Sequence, residues 1–176
     1  MSSEPSKTGG IYSVGKLISE ARQLAAEYRR TTGQVLGISG EIARHDACHF
    51  LKLETVKEGV SGYDAVGREN RDGLKYQIKG RVIFDEGKKN QRIGQLKIEQ
   101  DWDAILLVIM DENYETDCIY EAERGEVLDA LKEQTDSNRN KRGAMSVSKF
   151  KNIARVVWTR DEGAIADEIW DNQSSQ

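Results

Sequence analysis

Gly62-Tyr63-Asp64-Ala65-Val66 and Leu74-Lys75-Tyr76-Gln77-Ile78-Lys79-Gly80-Arg81-Val82-Ile83, joined across Asn70-Arg71-Asp72-Gly73, carry the pattern that decides the fold. Extended-chain formers on either side of strong turn residues predict an antiparallel hairpin, with strands over Tyr63 to Val66 and Leu74 to Ile83. Side chains alternate along a strand, so Gln77 and Lys79 share one face. Ile78 points the other way, into the core, and leaves its backbone carbonyl available as a ligand. Asp64, on the first strand, comes beside them.

Downstream, Ala104 to Met110 is a nearly unbroken aliphatic run, as expected for a strand covered on both faces at the centre of a sheet. Asp111-Glu112-Asn113 then turns the chain into a further strand over Glu115 to Tyr120. Helix follows from Glu123 to Glu133, with Val127, Leu128 and Leu131 inward. Upstream, Leu17, Ala21, Leu24 and Tyr28 recur at helical spacing before Gly33 and predict a helix burying that stripe. A second helix is expected from an N-cap at Ser39 to about Leu51. Its apolar side is Ile42, Ala43, Ala47, Phe50 and Leu51, and its polar side Glu41, His45, Cys48, His49 and Lys52. Phe150, Ile153, Ala154 and Val157 also fall at helical spacing, and Ala164 to Trp170 reads as a closing helix. The expected fold is α/β (α+β), a central mixed sheet of four to five strands flanked by helices. It occupies one domain over residues 13–172, after a flexible tail over residues 1–12.

The 176 residues suit one core and are few for two domains, and 38% hydrophobic with 32% charged residues describes a chain that folds. The longest apolar run is far short of the ~20 residues of a membrane helix, so no membrane association and a cytoplasmic location are expected. Cys48 and Cys118 have no partner at metal-ligand spacing. The net charge of −4 is unevenly distributed: seven basic and no acidic residues lie between Ser137 and Arg160, and five acids with no base follow.

Hydrolysing a phosphodiester with a metal ion requires carboxylates to hold the ion, an oxygen ligand beside them, and a cation near the attacking water or the developing charge. Asp64, Gln77 and Lys79 supply these from the hairpin, and Glu41 could complete the set from the second helix. Taken alone, the hairpin residues also suit a strand-end turn and the polar side of a half-exposed strand. Glu41 and the order of elements carry the chemical reading.

Gly40-Glu41, Gly62-Tyr63-Asp64-Ala65 and Tyr76-Gln77-Ile78-Lys79, in this order, resemble the PD-(D/E)XK nuclease superfamily with its restriction-endonuclease-like fold. The likeness spans roughly Gly40 to Tyr120. It implies that Glu41, Asp64, Gln77 through its amide oxygen and the Ile78 carbonyl bind Mg²⁺ or Mn²⁺, and that Lys79 is the catalytic cation that positions the water. Gln77 stands where the family has an acid. The site thereby loses a negative charge and should hold the ion less tightly, so Gln77→Glu is expected to leave the fold intact and tighten metal binding.

The implied activity is that of a Mg²⁺-dependent endonuclease acting on nucleic acid, DNA foremost. The alternative is a non-catalytic nucleic-acid-binding or assembly module that keeps the fold. Arg81, His45, Arg139, Lys141, Arg142, Lys149 and Lys151 are candidate phosphate contacts, with Lys75, Lys88, Lys89, Arg92 and Lys97 adding positive charge. A solvated surface explains these charges equally well. Cutting both strands of a duplex would favour a homodimer. His45-Asp46-Ala47-Cys48-His49 superficially matches a zinc-protease helix but lacks the glutamate base and a third ligand. Cys48 has no visible orienting acid to make it a nucleophile. Trp102, Trp158 and Trp170 border apolar segments and read as packing anchors.

Overall fold

Seven aliphatic residues in succession leave a strand without a wet face, and each residue from Ala104 to Met110 is buried. The computed structural model describes residues 13–57, 62–84, 91–133 and 144–166. In chain order the elements are α1 (Val14–Thr32), α2 (Ser39–Phe50), β1 (Glu54–Thr55), β2 (Ala65–Val66), a 3₁₀ turn (Glu69–Arg71), β3 (Lys75–Val82), β4 (Arg92–Gln95), β5 (Ala104–Met110), β6 (Thr116–Glu123), α3 (Arg124–Glu133), β7 (Ala144–Ser146), α4 (Val147–Ile153), β8 (Arg155–Thr159) and β9 (Gly163–Ala164). The protein is thus mixed α/β, with four helices among the described residues and a mixed sheet in the order β1-β2-β3-β5-β6-β8-β9.

The predicted hairpin is present, β2 pairing antiparallel to β3 with Ala65 opposite Tyr76 and Val66 opposite Lys75. β3 and β5 then run parallel, from Tyr76 opposite Ala104 to Val82 opposite Met110. A parallel pair needs a crossover, and the crossover carries β4, which pairs with β7 as a separate two-stranded sheet. One face of the main sheet packs Ile78, Val82, Leu106, Val108 and Met110 against Ile42, Ala43 and Ala47 of α2. The other packs Ile105, Leu107 and Ile109 against Val127 of α3, Phe150 of α4, and Ile93, Leu96 and Trp102 of the crossover. Each fully buried large aliphatic contributes roughly 1.5–3 kcal/mol over exposure. Gly80 sets the approach of α2: a Cβ there would stand 2.5 Å from the Ala43 Cβ and 2.8 Å from the Ser39 carbonyl oxygen.

Several expectations are corrected. The main sheet has seven strands rather than four to five, because β1 and β9 extend its edges as two-residue pairs and β8 joins β6. Ser39 is already helical, and the N-cap position is Ile38, which offers no side-chain bond. Phe150 and Ile153 lie in α4, but Val157 lies in β8, whose extended backbone answers the edge of β6. Of the expected closing helix, Ala164 is in β9, and residues 167–170, with Trp170, lie outside the described residues.

The largest departure is α1. Its expected buried stripe faces outward, with Leu17 46%, Leu24 63% and Tyr28 37% exposed, while Arg22, Ala25 and Ala26 are buried. Arginines attach this helix to the rest of the fold. Arg22 Nη1 and Nη2 donate to the two Asp46 carboxylate oxygens at 3.0 and 2.8 Å, and Nη1 also donates to the Tyr114 carbonyl. Asp46 in turn accepts from the Thr116 hydroxyl at 2.5 Å. Arg29 lies 4.7 Å over the Phe84 ring, and Arg30 donates to the Asn113 side-chain oxygen at 3.1 Å. A buried guanidinium holds its position only when its donors are met, so Asp46, on a different helix, decides which way α1 faces. No helix among the described residues is long and apolar enough to cross a membrane.

Candidate active site

β2 is only two residues long, so β3 continues past it with one edge open. Along β3 the even-numbered residues turn their backbone groups to that edge: Leu74 O accepts from Gly67 N at 2.8 Å and Tyr76 O from Asp64 N at 2.7 Å. The odd ones face β5, as Asp103 N to Lys75 O and Ile83 N to Met110 O attest. Where the backbone of β2 departs, the Asp64 side chain replaces it, and its Oδ2 accepts from Ile78 N at 2.7 Å. By the same alternation the Ile78 carbonyl faces the open edge beside Asp64. One Asp64 oxygen and that carbonyl therefore present hard oxygen donors next to each other.

Lys79 follows on the strand and is half-buried. Burial lowers its pKa from the usual 10.5. The Asp64 carboxylate acts against this, and the neighbouring charges of Lys97 and Arg81 add to it. Lys79 thus stands among two other cations, with Asp64 as the acid that influences it. Arg81 is lowered by burial as well. It donates to the Arg92 carbonyl and, at 2.6 Å, to the Gly80 carbonyl, and β4 makes room for it at Gly94, which has φ +84°.

Gln77 shares the face of Lys79 and is 2% exposed. Its amide is committed at both ends to one backbone unit: Nε2 donates to Lys97 O at 3.1 Å, and Oε1 accepts from Lys97 N at 3.3 Å. Lys97 O also accepts from Trp102 Nε1 at 2.7 Å. Arg124 closes the same loop by donating to the carbonyls of Ile98, Gln100 and Trp102. Sequence reading offered no route to this clasp, since a side chain that binds the backbone of a residue twenty positions away leaves no residue-type signal.

Glu41 is exposed on the first turns of α2 and has no hydrogen bond or ion pair among the described residues. It lies seven positions before Cys48, almost two full turns, and so on nearly the same side of the helix. Cys48 is close enough to Asp64 to respond to it. Burial, and secondarily that carboxylate, push the thiol up to about 11, against the influence of Arg44. A thiol so raised is a poor nucleophile at neutral pH. His45 is half-buried and turned to Asp46, with Nδ1 3.4 Å from Oδ1, and it stacks on His49 at 6.1 Å.

β3 and the residue before β2 thus bring Asp64, Gln77, Ile78, Lys79 and Arg81 near one another. Glu41 instead lies on α2, which packs on the Ile78 face of the sheet, opposite to Gln77 and Lys79, and no contact among the described residues joins it to them. Among the described residues no group of three or more His, Cys, Asp or Glu could hold a metal ion. The donors at the edge nevertheless suit Mg²⁺ or Mn²⁺, since an Asp64 carboxylate oxygen and the Ile78 carbonyl are hard oxygens, while the buried Gln77 amide oxygen is engaged by Lys97 N. Mg²⁺ commonly binds through one or two carboxylates, completed by water and substrate phosphate.

The described part of the basic stretch is engaged within the molecule. Lys149 pairs with Glu133 at 3.4 Å, Arg155 with Glu121 at 2.8 Å and Arg160 with Asp111 at 2.8 Å. Lys151 lies 5.5 Å over the Tyr120 ring. β8 is the third strand from β3, on the side away from the open edge. Arg139, Lys141, Arg142, Lys88 and Lys89 lie outside the described residues. A comparison with known protein families finds no match to this chain, and a search of curated proteins finds none either.

Proposed function

We propose that this chain is a metal-dependent nuclease of the PD-(D/E)XK type in a QxK variant, hydrolysing phosphodiester bonds of DNA in the cytoplasm. The observation that carries the reading is the open edge of β3, where the Asp64 carboxylate accepts from Ile78 N beside the Ile78 carbonyl and its charge acts on the half-buried Lys79 ammonium. Asp64 and the Ile78 carbonyl would hold Mg²⁺. The bound ion would supply Lewis-acid polarisation of the phosphate and a lowered pKa for its water. Lys79 orients the attacking water and offers a donor to the phosphate as charge develops. Lys97 and Arg81 add positive charge that favours a phosphate over a neutral ligand.

The test is cleavage of mixed DNA and RNA substrates with Mg²⁺ or Mn²⁺ by the wild type, Lys79→Ala and Asp64→Asn. The asparagine retains an oxygen for Ile78 N, so its effect reads charge rather than strand pairing. Metal-dependent nicking lost in both variants is expected, and undiminished cleavage by Lys79→Ala rejects the mechanism. The second reading, a module that binds nucleic acid without cutting it, is favoured by the double commitment of the Gln77 amide to Lys97. Binding that persists in chelator and weakens only with salt, with no turnover in any metal, would select it.

A further inference from the structure

We infer that α1 is a self-association surface, on which two copies of this chain pack seam against seam, antiparallel, about a two-fold axis at Ala21. Val14, Leu17, Ala21, Leu24 and Tyr28 succeed one another at intervals of three, four, three and four, the spacing that keeps an apolar seam turned toward a like helix. Val14, Leu17, Leu24 and Tyr28 are 65, 46, 63 and 37% exposed, so the fold as described leaves the seam uncovered. The seam is not needed to attach α1, which Arg22, Arg29 and Arg30 hold from another side. This independence of the proposed catalysis makes the inference separately testable.

A second copy suits the seam because the seam reads alike in both directions to within one residue, at offsets of −7, −4, +3 and +7 about Ala21. The small Ala21 is central, a leucine lies on each side, and the larger span ends in Val14 and Tyr28, about 21 Å apart along the axis. A two-fold axis at Ala21 sets Leu17 against the second copy's Leu24, and Val14 against its Tyr28. The flanking charges suit the same arrangement. Lys16 pairs with Glu20 at 4.0 Å and Arg30 with Glu27 at 3.0 Å, so the flank is neutral. The antiparallel match brings Glu27 beside the second copy's Lys16. Closed two-fold pairing of one patch with itself is the commonest route to a soluble oligomer.

Sedimentation velocity of the full chain over about 1–100 µM, the range in which modest interfaces saturate, should show a species of twice the chain mass. Leu24→Glu should weaken that association at least about 100-fold by burying an unpaired charge in the seam. Because Leu24 is exposed within one chain, far-UV dichroism and the urea midpoint of the monomer should be unchanged. Under oxidation Ala21→Cys should crosslink to itself. Val14→Cys should crosslink only when mixed with Tyr28→Cys. A wild type that stays monomeric throughout, a dimer that survives Leu24→Glu, or Val14→Cys that links to itself would overturn the inference.

Discussion

Replacing Gln77 with glutamate restores the acid of the resembled motif, but the structure predicts a loss of stability. Gln77 is 2% exposed and uses both ends of its amide on the Lys97 backbone, at 3.1 and 3.3 Å. A carboxylate keeps the acceptor for Lys97 N but has no proton for Lys97 O, and sets one oxygen against another in a buried place. Losing the bond and leaving the oxygens unanswered costs about 2–4 kcal/mol. For a chain of this size that lowers the melting temperature by roughly 5–15 °C. The penalty should depend on pH with a definite sign. Burial raises the carboxyl's folded-state pKa above its unfolded value, and the protonated acid regains a donor for Lys97 O. The variant should therefore approach wild-type stability below the unfolded pKa and lose it as pH rises through the folded one. Urea unfolding at several pH values, in chelator and in millimolar Mg²⁺, measures this. Recovery in Mg²⁺ alone would mean that the carboxylate turns to a bound ion. A midpoint equal to wild type in chelator at neutral pH would refute the clasp.

Asp46→Ala should cost about 3–5 kcal/mol, read by denaturant unfolding, because it strands the buried Arg22 guanidinium. Gly80→Ala should cost about 1–3 kcal/mol and weaken any cleavage, since the new methyl meets Ala43 and the Ser39 carbonyl and lifts α2 from β3. Lys79→Met should abolish cleavage without lowering stability at neutral pH. Burial disfavours the Lys79 ammonium, so the cost of keeping it is present below its lowered pKa and fades as pH climbs toward 10.5; the advantage of methionine in urea should fade over the same interval. Cys48, held near 11, should react with a thiol reagent at neutral pH much more slowly in the folded protein than in urea.

The hairpin and the central strand were legible because both are stated locally: turn residues between extended runs at Ala65 and Tyr76, and seven apolar positions without interruption at β5. The pairing of Asp64 with β3 followed from the hairpin, although its role as a stand-in for a missing strand backbone did not. The facing of α1 was misread because periodicity marks an apolar stripe without saying whether a stronger polar claim exists. Arg22 has that claim through Asp46, 24 residues away. Val157 matched a helical spacing by coincidence, and only the unpaired side of β6 determines that it is extended. Gly80 did carry a usable signal, since glycine inside a strand marks close approach of another backbone or a ligand.

The short β2 has a consequence for behaviour in solution. A strand whose hydrogen-bonding groups outrun its neighbour invites another molecule's chain to continue the ladder, and that is how sheets grow into aggregates. Along β3 the groups without a strand partner are answered in turn by side chains, Ile78 N by the Asp64 carboxylate and Gly80 O by the Arg81 guanidinium. These two charges deny an incoming strand its docking positions. The residues that make the edge chemically interesting are thus also its guards, and colloidal stability constrains them independently of any reaction they perform.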